Sequence, residues 1–273
     1  MKRIGYLLIC LCFFLLVSGC SQTAKTKIPD IAAQETAQPL RVAAAADLTL
    51  AFQEIGKNYE KLNGTKLDFI FGSTGTLEQQ IENGAPYDVF AAASTRYVDA
   101  LKSKGLIIPG TQQLYARGSI GLATTTASSL QVKELKDLLK PEIKKIAIAN
   151  PEHAPYGMAA KQALEKAGIW ELVKGKLVYG KNIQDTLTLI KTGNAETGII
   201  ALSIAKKDEV YFSRIREDMY KPLNQSMAVT AGTKQAQRAR QFIAYVNSPE
   251  GRKVMKKYGF NLPGEVLASN DRP

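Results

Sequence analysis

The sequence predicts an α/β protein of two lobes, each a sheet of largely parallel strands covered by helices. Three observations support this fold class. From Leu40 onward, short apolar runs typical of buried strands alternate with amphipathic segments typical of helices. Regular alternation of this kind favours parallel sheets with helices on their faces. The elements are also more numerous than one simple doubly wound sheet requires, and no internal repeat accompanies them.

The first strand and helix show the pattern most clearly. Residues 40–45 form an apolar run that predicts a buried strand. Five apolar residues then recur at spacings of four and three, which predicts the buried face of a helix that ends at Asn63-Gly64. These five residues are Leu48, Phe52, Ile55, Tyr59 and Leu62.

The later elements follow in the same alternation along the chain. A helix is predicted to begin at Thr76, where Thr76 and Gln79 suggest a capping box. The other predicted strands are 67–71, 87–93, 120–123, 145–149, 176–179 and 198–202, and the other predicted helices are 95–104, 132–140, 157–167, 183–192 and 234–258.

The amino terminus has the pattern of a secretory signal. Two basic residues precede the apolar run 6–17, which is shorter than the about 20 residues of a membrane-spanning helix. Small residues come next, and Cys20 follows them directly, as in a bacterial lipobox. The pattern predicts removal of residues 1–19 and acylation of Cys20, which would tether the protein to a membrane outside the cytoplasm. The alternatives are an ordinary signal peptide with an incidental cysteine, or an anchor helix.

Composition narrows the function classes. Residues 20–39 are rich in Ala, Thr, Gln and Lys, which predicts a flexible lipidated tether. The other two cysteines lie in the predicted signal, so the folded part has no thiolate for a disulfide or a metal site. The net charge is +11, but the basic residues are spread along the chain without an Arg-rich cluster. We therefore expect no nucleic-acid partner.

Four loops are candidates for chemistry, because each follows a predicted strand and opens a helix. In an open α/β sheet, ligands bind beyond the carboxyl ends of the strands, and helix N-termini favour anions. The four segments are 43–48, 71–76, 150–157 and 180–183.

Each candidate also has a simpler structural interpretation. Asp47 is equally consistent with a helix N-cap. The Gly-Ser-Thr-Gly loop at 72–75 lacks the Gly-Lys-Ser/Thr ending of a P-loop. His153, the one histidine, is more typical of a structural loop residue, and Tyr156 of a packed aromatic. Hydrolase and metalloprotease motifs are missing, so we expect a binding module without catalysis, resident metal or cofactor.

Four stretches together resemble one known family. They are AAAADLTLAFQEIG (43–56), FGSTGTLEQQIENGAPYDVFAAAS (71–94), NPEHAPYGMAAKQALEKAG (150–168) and KKYGF (256–260). They are similar to the molybdate-binding proteins of bacterial ABC importers, and they occur in that family's order over nearly all of residues 40–262. The two middle stretches are fairly specific.

The resemblance implies a type II periplasmic-binding-protein fold, with two α/β lobes, two crossing strands and a ligand cleft between the lobes. Lobe 1 would comprise residues 40–114 and 226–273, and lobe 2 residues 115–225. The implied function is capture of molybdate, and of tungstate, for import. The implied partner is an ABC permease in the cytoplasmic membrane, which a monomeric binding protein would supply.

The resemblance also implies the ligand contacts, because the family holds its oxyanion with neutral hydroxyls and backbone amides at helix starts. The corresponding positions in this sequence are Asp47, Thr74 with Ser73 beside it, Tyr156 and Ile183.

Two positions depart from the family pattern. Asp47 stands where a hydroxyl or amide residue is frequent, and Ala201 stands where some relatives have a tyrosine, so Ser203 or Tyr156 would have to supply that hydroxyl. A carboxylate ~4 Å from a single negative charge costs roughly 4 kcal/mol at an effective dielectric of about 20. Asp47 would therefore either turn away to cap its helix, or accept a proton that the ligand brings.

If Asp47 accepts a proton from the ligand, the identity of the anion is not determined. Phosphate, a phosphonate or an organic acid would then fit the same fold and role. Two other classes also remain open at this stage. One is a secreted hydrolase with Asp47 and His153 as acid and base, and the other is an adhesin or sensor that uses the fold as a scaffold.

Overall fold

Two five-stranded sheets form the framework of the described chain. The computed structural model describes residues 38–265, which belong to a compact unit beginning at Gln38. The strands are β1 (Leu40–Ala45), β2 (Leu67–Gly72), β3 (Val89–Ala92), β4 (Gln113–Gly118), β5 (Ile120–Thr125), β6 (Ile146–Ala149), β7 (Leu177–Gly180), β8 (Thr197–Ala201), β9 (Val210–Arg214) and β10 (Leu223–Val229).

Helices connect these strands and cover both sheets. The α-helices are α1 (Thr49–Asn63), α2 (Thr74–Glu82), α3 (Thr95–Ser103), α4 (Pro155–Lys166), α5 (Trp170–Val173), α6 (Ile183–Lys191), α7 (Ala236–Val246) and α8 (Pro249–Lys257). Short 3₁₀ helices span Ala46–Leu48, Leu135–Leu139, Lys174–Lys176, Leu202–Ile204 and Glu217–Met219.

The two sheets have the same mixed topology. The first has the order β2-β1-β3-β10-β4, and the second has the order β7-β6-β8-β5-β9. In the first sheet β1 is parallel to β2 and β3, while β10 is antiparallel to β3 and β4. In the second, β6 is parallel to β7 and β8, while β5 is antiparallel to β8 and β9.

The mixed topology corrects the expectation of largely parallel sheets. The chain passes from the first sheet to the second at Ser119, between β4 and β5, and returns through residues 215–222, between β9 and β10. A strand that enters from the other sheet does not follow a helical crossover, and here it runs against its neighbours. The predicted lobe boundaries, at residues 114/115 and 225/226, stay a prediction.

Several predicted elements match the structure closely, and others differ for local reasons. Strand β1 and helix α1 lie where the apolar spacing placed them. Helix α2 begins at Thr74, two residues earlier than predicted, because the Ser73 side chain is its N-cap and accepts from the Thr76 N–H. The capping box of Thr76 and Gln79 was therefore wrong.

The carboxyl-terminal helix is two helices rather than one. Ser248 caps α8 and Pro249 occupies its first turn, so the predicted helix 234–258 breaks after Val246. The predicted helix 132–140 is only the 3₁₀ helix Leu135–Leu139. Strands β4, β9 and β10 had no counterpart among the predicted elements.

An aromatic cluster fixes α1 against the first sheet. Phe52 is fully buried, and its ring centroid lies 5.7 Å from Phe69 of β2, 6.2 Å from Tyr115 of β4 and 5.9 Å from Phe242 of α7. Leu62 was predicted on the same buried face, but it is 72% exposed because it lies in the last turn of the helix.

The predicted signal, Cys20 and residues 20–37 of the predicted tether lie outside the described residues. Between residues 38 and 265, no helix is both long enough and apolar enough to cross a membrane.

We expect Phe52→Ala to lower the free energy of unfolding by about 3 to 5 kcal/mol, because it removes a buried ring and leaves a cavity between α1 and the sheet. Leu62→Ala, on the same helix, is the matched control and should change it by no more than about 0.5 kcal/mol. Urea titration of both variants measures the difference. Equal losses in the two variants would contradict this description of the core.

Candidate functional site

The four predicted helix openings meet at one small pocket. Its cavity volume is about 10 Å³, about the space of one water-sized group, so the pocket is far too small for a drug-sized ligand. Both sheets contribute to the pocket. Its lining residues are Ala45, Ala46, Asp47, Gly72, Ser73, Thr74, Ala93, Ala154, Pro155, Tyr156, Asn182 and Ile183.

The local sequence explains why the helices begin at the pocket. Asn182 caps α6, and its side-chain oxygen accepts from two N–H groups of the first turn. Pro155 occupies the first turn of α4, where a missing N–H costs nothing. At Gly157 a Cβ would lie 2.0 Å from the Ala149 carbonyl oxygen, so only glycine lets α4 start directly at the end of β6.

The first turns of helices associated with both sheets line the pocket. N–H groups in the first turn of a helix have no partner within the helix. Thr74 is the first residue of α2, Tyr156 is in the first turn of α4, and Ile183 is the first residue of α6. The Thr74 hydroxyl accepts from the Ala93 N–H at 3.1 Å, which leaves its own hydrogen free to donate.

The Asp47 carboxylate is the centre of a buried polar network. Oδ2 accepts from the Tyr156 hydroxyl at 2.9 Å and from Gln225 Nε2 at 2.8 Å. Gln225 Oε1 in turn accepts from the Tyr115 hydroxyl at 2.8 Å. Among the described residues, Asp47 Oδ1 has no hydrogen-bond partner although it is buried. The carboxylate thus has one satisfied oxygen and one unsatisfied oxygen.

Burial sets the protonation of this network. It raises the pKa of Asp47 from 3.8 to about 6, against the lowering effect of the bonds from Gln225 and Tyr156. Burial also raises the pKa of Tyr156 and of Tyr115 well above the usual value of tyrosine, so both hydroxyls stay protonated. Asp47 is consequently the group of this network that titrates nearest to neutral pH.

Glycine 118 makes the network sterically possible. A Cβ at this position would lie 2.0 Å from the Tyr156 hydroxyl oxygen and 3.0 Å from Gln225 Nε2. Gly118 ends β4, beside the point where the chain crosses to the second sheet. The absence of a side chain there lets the Tyr156 hydroxyl reach Asp47.

The loop before α2 contacts the loop before α4 directly. Ser73 Oγ lies 2.7 Å from His153 Nδ1, and the Gly75 N–H donates to the His153 carbonyl oxygen at 2.9 Å. A Cβ at Gly75 would lie 2.8 Å from that same oxygen. These contacts join segments that flank the pocket, because Ser73 and Ala154 both line it.

The structure brings together all four predicted ligand contacts: Asp47, Thr74, Tyr156 and Ile183 line the same pocket. The N-cap interpretation of Asp47 was wrong, because its carboxylate bonds Tyr156 and Gln225 and the start of α1 has no side-chain cap. Ser203 donates its hydroxyl to the Asp47 carbonyl oxygen at 2.8 Å.

Two residues were not predicted from the sequence: Gln225, which donates to the Asp47 carboxylate, and Tyr115, which donates to Gln225. Both lie on strands that were not predicted. The buried Gln225, next to the buried Ser226, is a local signal that points to such a network.

The hydrolase alternative paired Asp47 with His153 as acid and base. Asp47 and His153 have separate hydrogen-bond partners rather than bonding each other. Across residues 38–265, no group of three or more His, Cys, Asp or Glu side chains is arranged to hold a metal ion.

Comparisons with known proteins match nearly the whole described chain. The family model for a bacterial extracellular solute-binding protein matches residues 40–261. The molybdate-binding protein ModA of Azotobacter vinelandii is 35% identical over 85% of this chain and 93% of its own length. YvgL of Bacillus subtilis, named as an ABC transporter substrate-binding lipoprotein, is 31% identical over 95% of this chain and 98% of its own length.

A solved structure agrees with these relatives. The periplasmic molybdate-binding protein of Azotobacter vinelandii superposes with a TM-score of 0.77 at 26% identity, over 82% of this chain and 99% of that chain. The chain therefore belongs to the family of bacterial extracellular solute-binding proteins. The expected periplasmic-binding-protein fold and the resemblance to molybdate-binding proteins are confirmed.

The raised pKa of Asp47 predicts a specific pH dependence of stability. Its stabilising contribution as a neutral acid is fully present below about pH 4 and is lost as the pH rises through about 6. Asp47→Asn mimics the neutral acid at all pH values. Its free energy of unfolding, relative to the wild type, should therefore rise by about 2 kcal/mol between pH 4 and pH 7.

Urea unfolding at several pH values measures this difference. Asp208→Asn is the control, because Asp208 is exposed, and its difference from the wild type should stay within about 0.5 kcal/mol. A pH-independent difference for Asp47→Asn would contradict the assigned burial of the carboxylate.

Proposed function

We propose that this protein captures molybdate, and tungstate as its close analogue, outside the cytoplasm and supplies it to an ABC permease for import. The observation that carries the proposal is the pocket where helix starts from both sheets converge, with no basic side chain among its described lining residues. The relatives that share this fold over most of its length include molybdate-binding proteins.

The proposed contacts use hydrogen-bond donors rather than cations. The donors are the N–H groups of Thr74, Tyr156 and Ile183 together with the Thr74 hydroxyl. Each helix N-terminus stabilises an anion by about 0.3 to 1 kcal/mol when exposed and up to ~2 kcal/mol when partly buried. Several such termini and charge-assisted hydrogen bonds on one desolvated ion are consistent with roughly 8 to 12 kcal/mol, or micromolar to nanomolar binding.

Selection among oxyanions would then depend on size. Molybdate, tungstate and sulfate are all tetrahedral dianions, so charge and donor geometry do not distinguish sulfate from the other two. The backbone donors are fixed by the helix starts, which sets the distance at which four oxygens can all be bonded. A larger ion would reach donors on both sheets, and a smaller ion would leave some donors unpaired.

We further propose that the two sheets with their helices act as lobes that close on the ion. The bonds of Ser73 and Gly75 with His153 join the loops of the two sheets at the pocket edge and would form as the lobes close. Closure would also change the outer surface that a permease contacts.

The proposed location is the outer face of a membrane, with the lipid on Cys20 as anchor. The lipobox pattern and the lipoprotein name of the Bacillus subtilis relative support this. We propose that the chain acts as a monomer and makes or breaks no bond in its ligand.

A second candidate ligand is an anion that carries a proton, such as phosphate, a phosphonate or an organic acid. Asp47 favours this candidate, because its unpartnered Oδ1 lies in a buried network at the pocket and would accept that proton.

Calorimetric titration of the purified full chain with molybdate, tungstate, sulfate and phosphate tests the proposal. We expect sub-micromolar binding of molybdate and tungstate, and binding of sulfate and phosphate at least about a hundredfold weaker. Measurable binding of phosphate, with no measurable binding of molybdate or tungstate, would reject the proposed ligand and favour the second candidate.

The same titration tests the assigned donor. Thr74→Val removes the hydroxyl at nearly constant shape and should weaken molybdate binding roughly 10- to 100-fold, as expected for a lost hydrogen bond to a charged group. Thr74→Ser should retain most of the affinity. Thr188→Val, on the exposed side of α6, is the control that should bind like the wild type. Unchanged affinity in Thr74→Val would contradict this site.

A further inference from the structure

We propose that Asp47 takes up one proton when the oxyanion binds, and that the resulting Oδ1–H donates a hydrogen bond to the bound ion. The inference rests on the proposed function and deepens it: the site would recognise a fully deprotonated dianion through a neutral carboxylic acid. The protein with a protonated Asp47 would thus be the form that binds the deprotonated ion.

The two carboxylate oxygens of Asp47 differ in their hydrogen bonding. Oδ2 already accepts two hydrogen bonds, from Tyr156 and Gln225. Oδ1 is buried and has no partner among the described residues, yet Asp47 lines the pocket. A proton on Oδ1 would give this oxygen a donor for a ligand and would leave both existing bonds in place.

Within residues 38–265, no positively charged side chain bonds Asp47 to offset its ionisation. The groups that face it are Tyr156 from α4 and Gln225 from β10, with Tyr115 from β4 behind Gln225 and the Ser203 hydroxyl on the Asp47 carbonyl oxygen. The described lining of the pocket contains no lysine or arginine. A dianion beside an ionised carboxylate would therefore be repelled, whereas a neutral acid turns this contact into an attraction.

The pKa of Asp47 is close enough to neutral pH for ion binding to change its protonation. Burial raises the pKa of Asp47 to about 6 before any ion is near. A bound dianion would raise it further, because a nearby negative charge disfavours ionisation. Near neutral pH one proton would therefore move from solvent to Asp47 Oδ1 as the ion enters, and it would return to solvent as the ion leaves.

The test is calorimetry of the full chain with molybdate between about pH 6 and about pH 8, a range in which molybdate stays a dianion. If Asp47 must be protonated, the affinity falls by about tenfold per pH unit above its pKa. Titrations at about pH 7.5 in buffers of different ionisation enthalpy should show uptake of about one proton per ion. This second readout uses the wild type alone, so it does not depend on whether a variant folds.

Two variants identify the side chain that takes up the proton when molybdate binds. Asp47→Asn should bind molybdate with no pH slope and no proton uptake, because its amide donates at every pH. His153→Gln removes the imidazole near the pocket, which bonds Ser73, and should keep the slope whatever its absolute affinity.

The outcomes separate the inference from the proposed function. Molybdate binding by the wild type without a pH slope and without proton uptake would overturn the inference and leave the function intact. A slope that disappears in His153→Gln would also overturn it, because the histidine would then be the proton acceptor. Failure to bind molybdate at every pH would overturn both.

Discussion

The site depends on how a buried carboxylate is held. Asp47 follows β1, and its Oδ2 is bonded by Tyr156, whose helix packs on the second sheet, and by Gln225 from a strand of the first. A buried charge without a cation is costly, so this arrangement persists only with good hydrogen bonds and a raised pKa. The packing of the two sheets around the pocket is therefore linked to the protonation of a single side chain.

The mixed topology explains how residues far apart in sequence reach the same carboxylate. The chain crosses between the sheets beside Gly118 and returns just before β10, so both crossings run close to the network. A side chain at Gly118 would displace the Tyr156 hydroxyl, and Ser203 binds the Asp47 backbone from the second sheet. Fold and pocket therefore share the same contacts, and the helix starts that surround them line the pocket.

Apolar spacing predicted β1 and α1 well, because both have regular buried faces. It missed β10, where the buried Gln225 and Ser226 interrupt the apolar run. Four pocket residues were found through family resemblance, since local signals alone left each with a structural explanation. The role of Asp47 was not predictable locally, because its partners Tyr156 and Gln225 lie 109 and 178 residues away in the sequence.

Anomalous diffraction at the tungsten edge, from crystals of the full chain grown with tungstate, tests the central claim most directly. The account predicts one strong peak in the pocket, with oxygens about 2.7–3.2 Å from Thr74 Oγ1 and from the backbone nitrogens of Tyr156 and Ile183. An Asp47 oxygen within hydrogen-bond distance of the ion would match the proposed network. A tungsten peak elsewhere on the protein, with none in this pocket, would contradict the account.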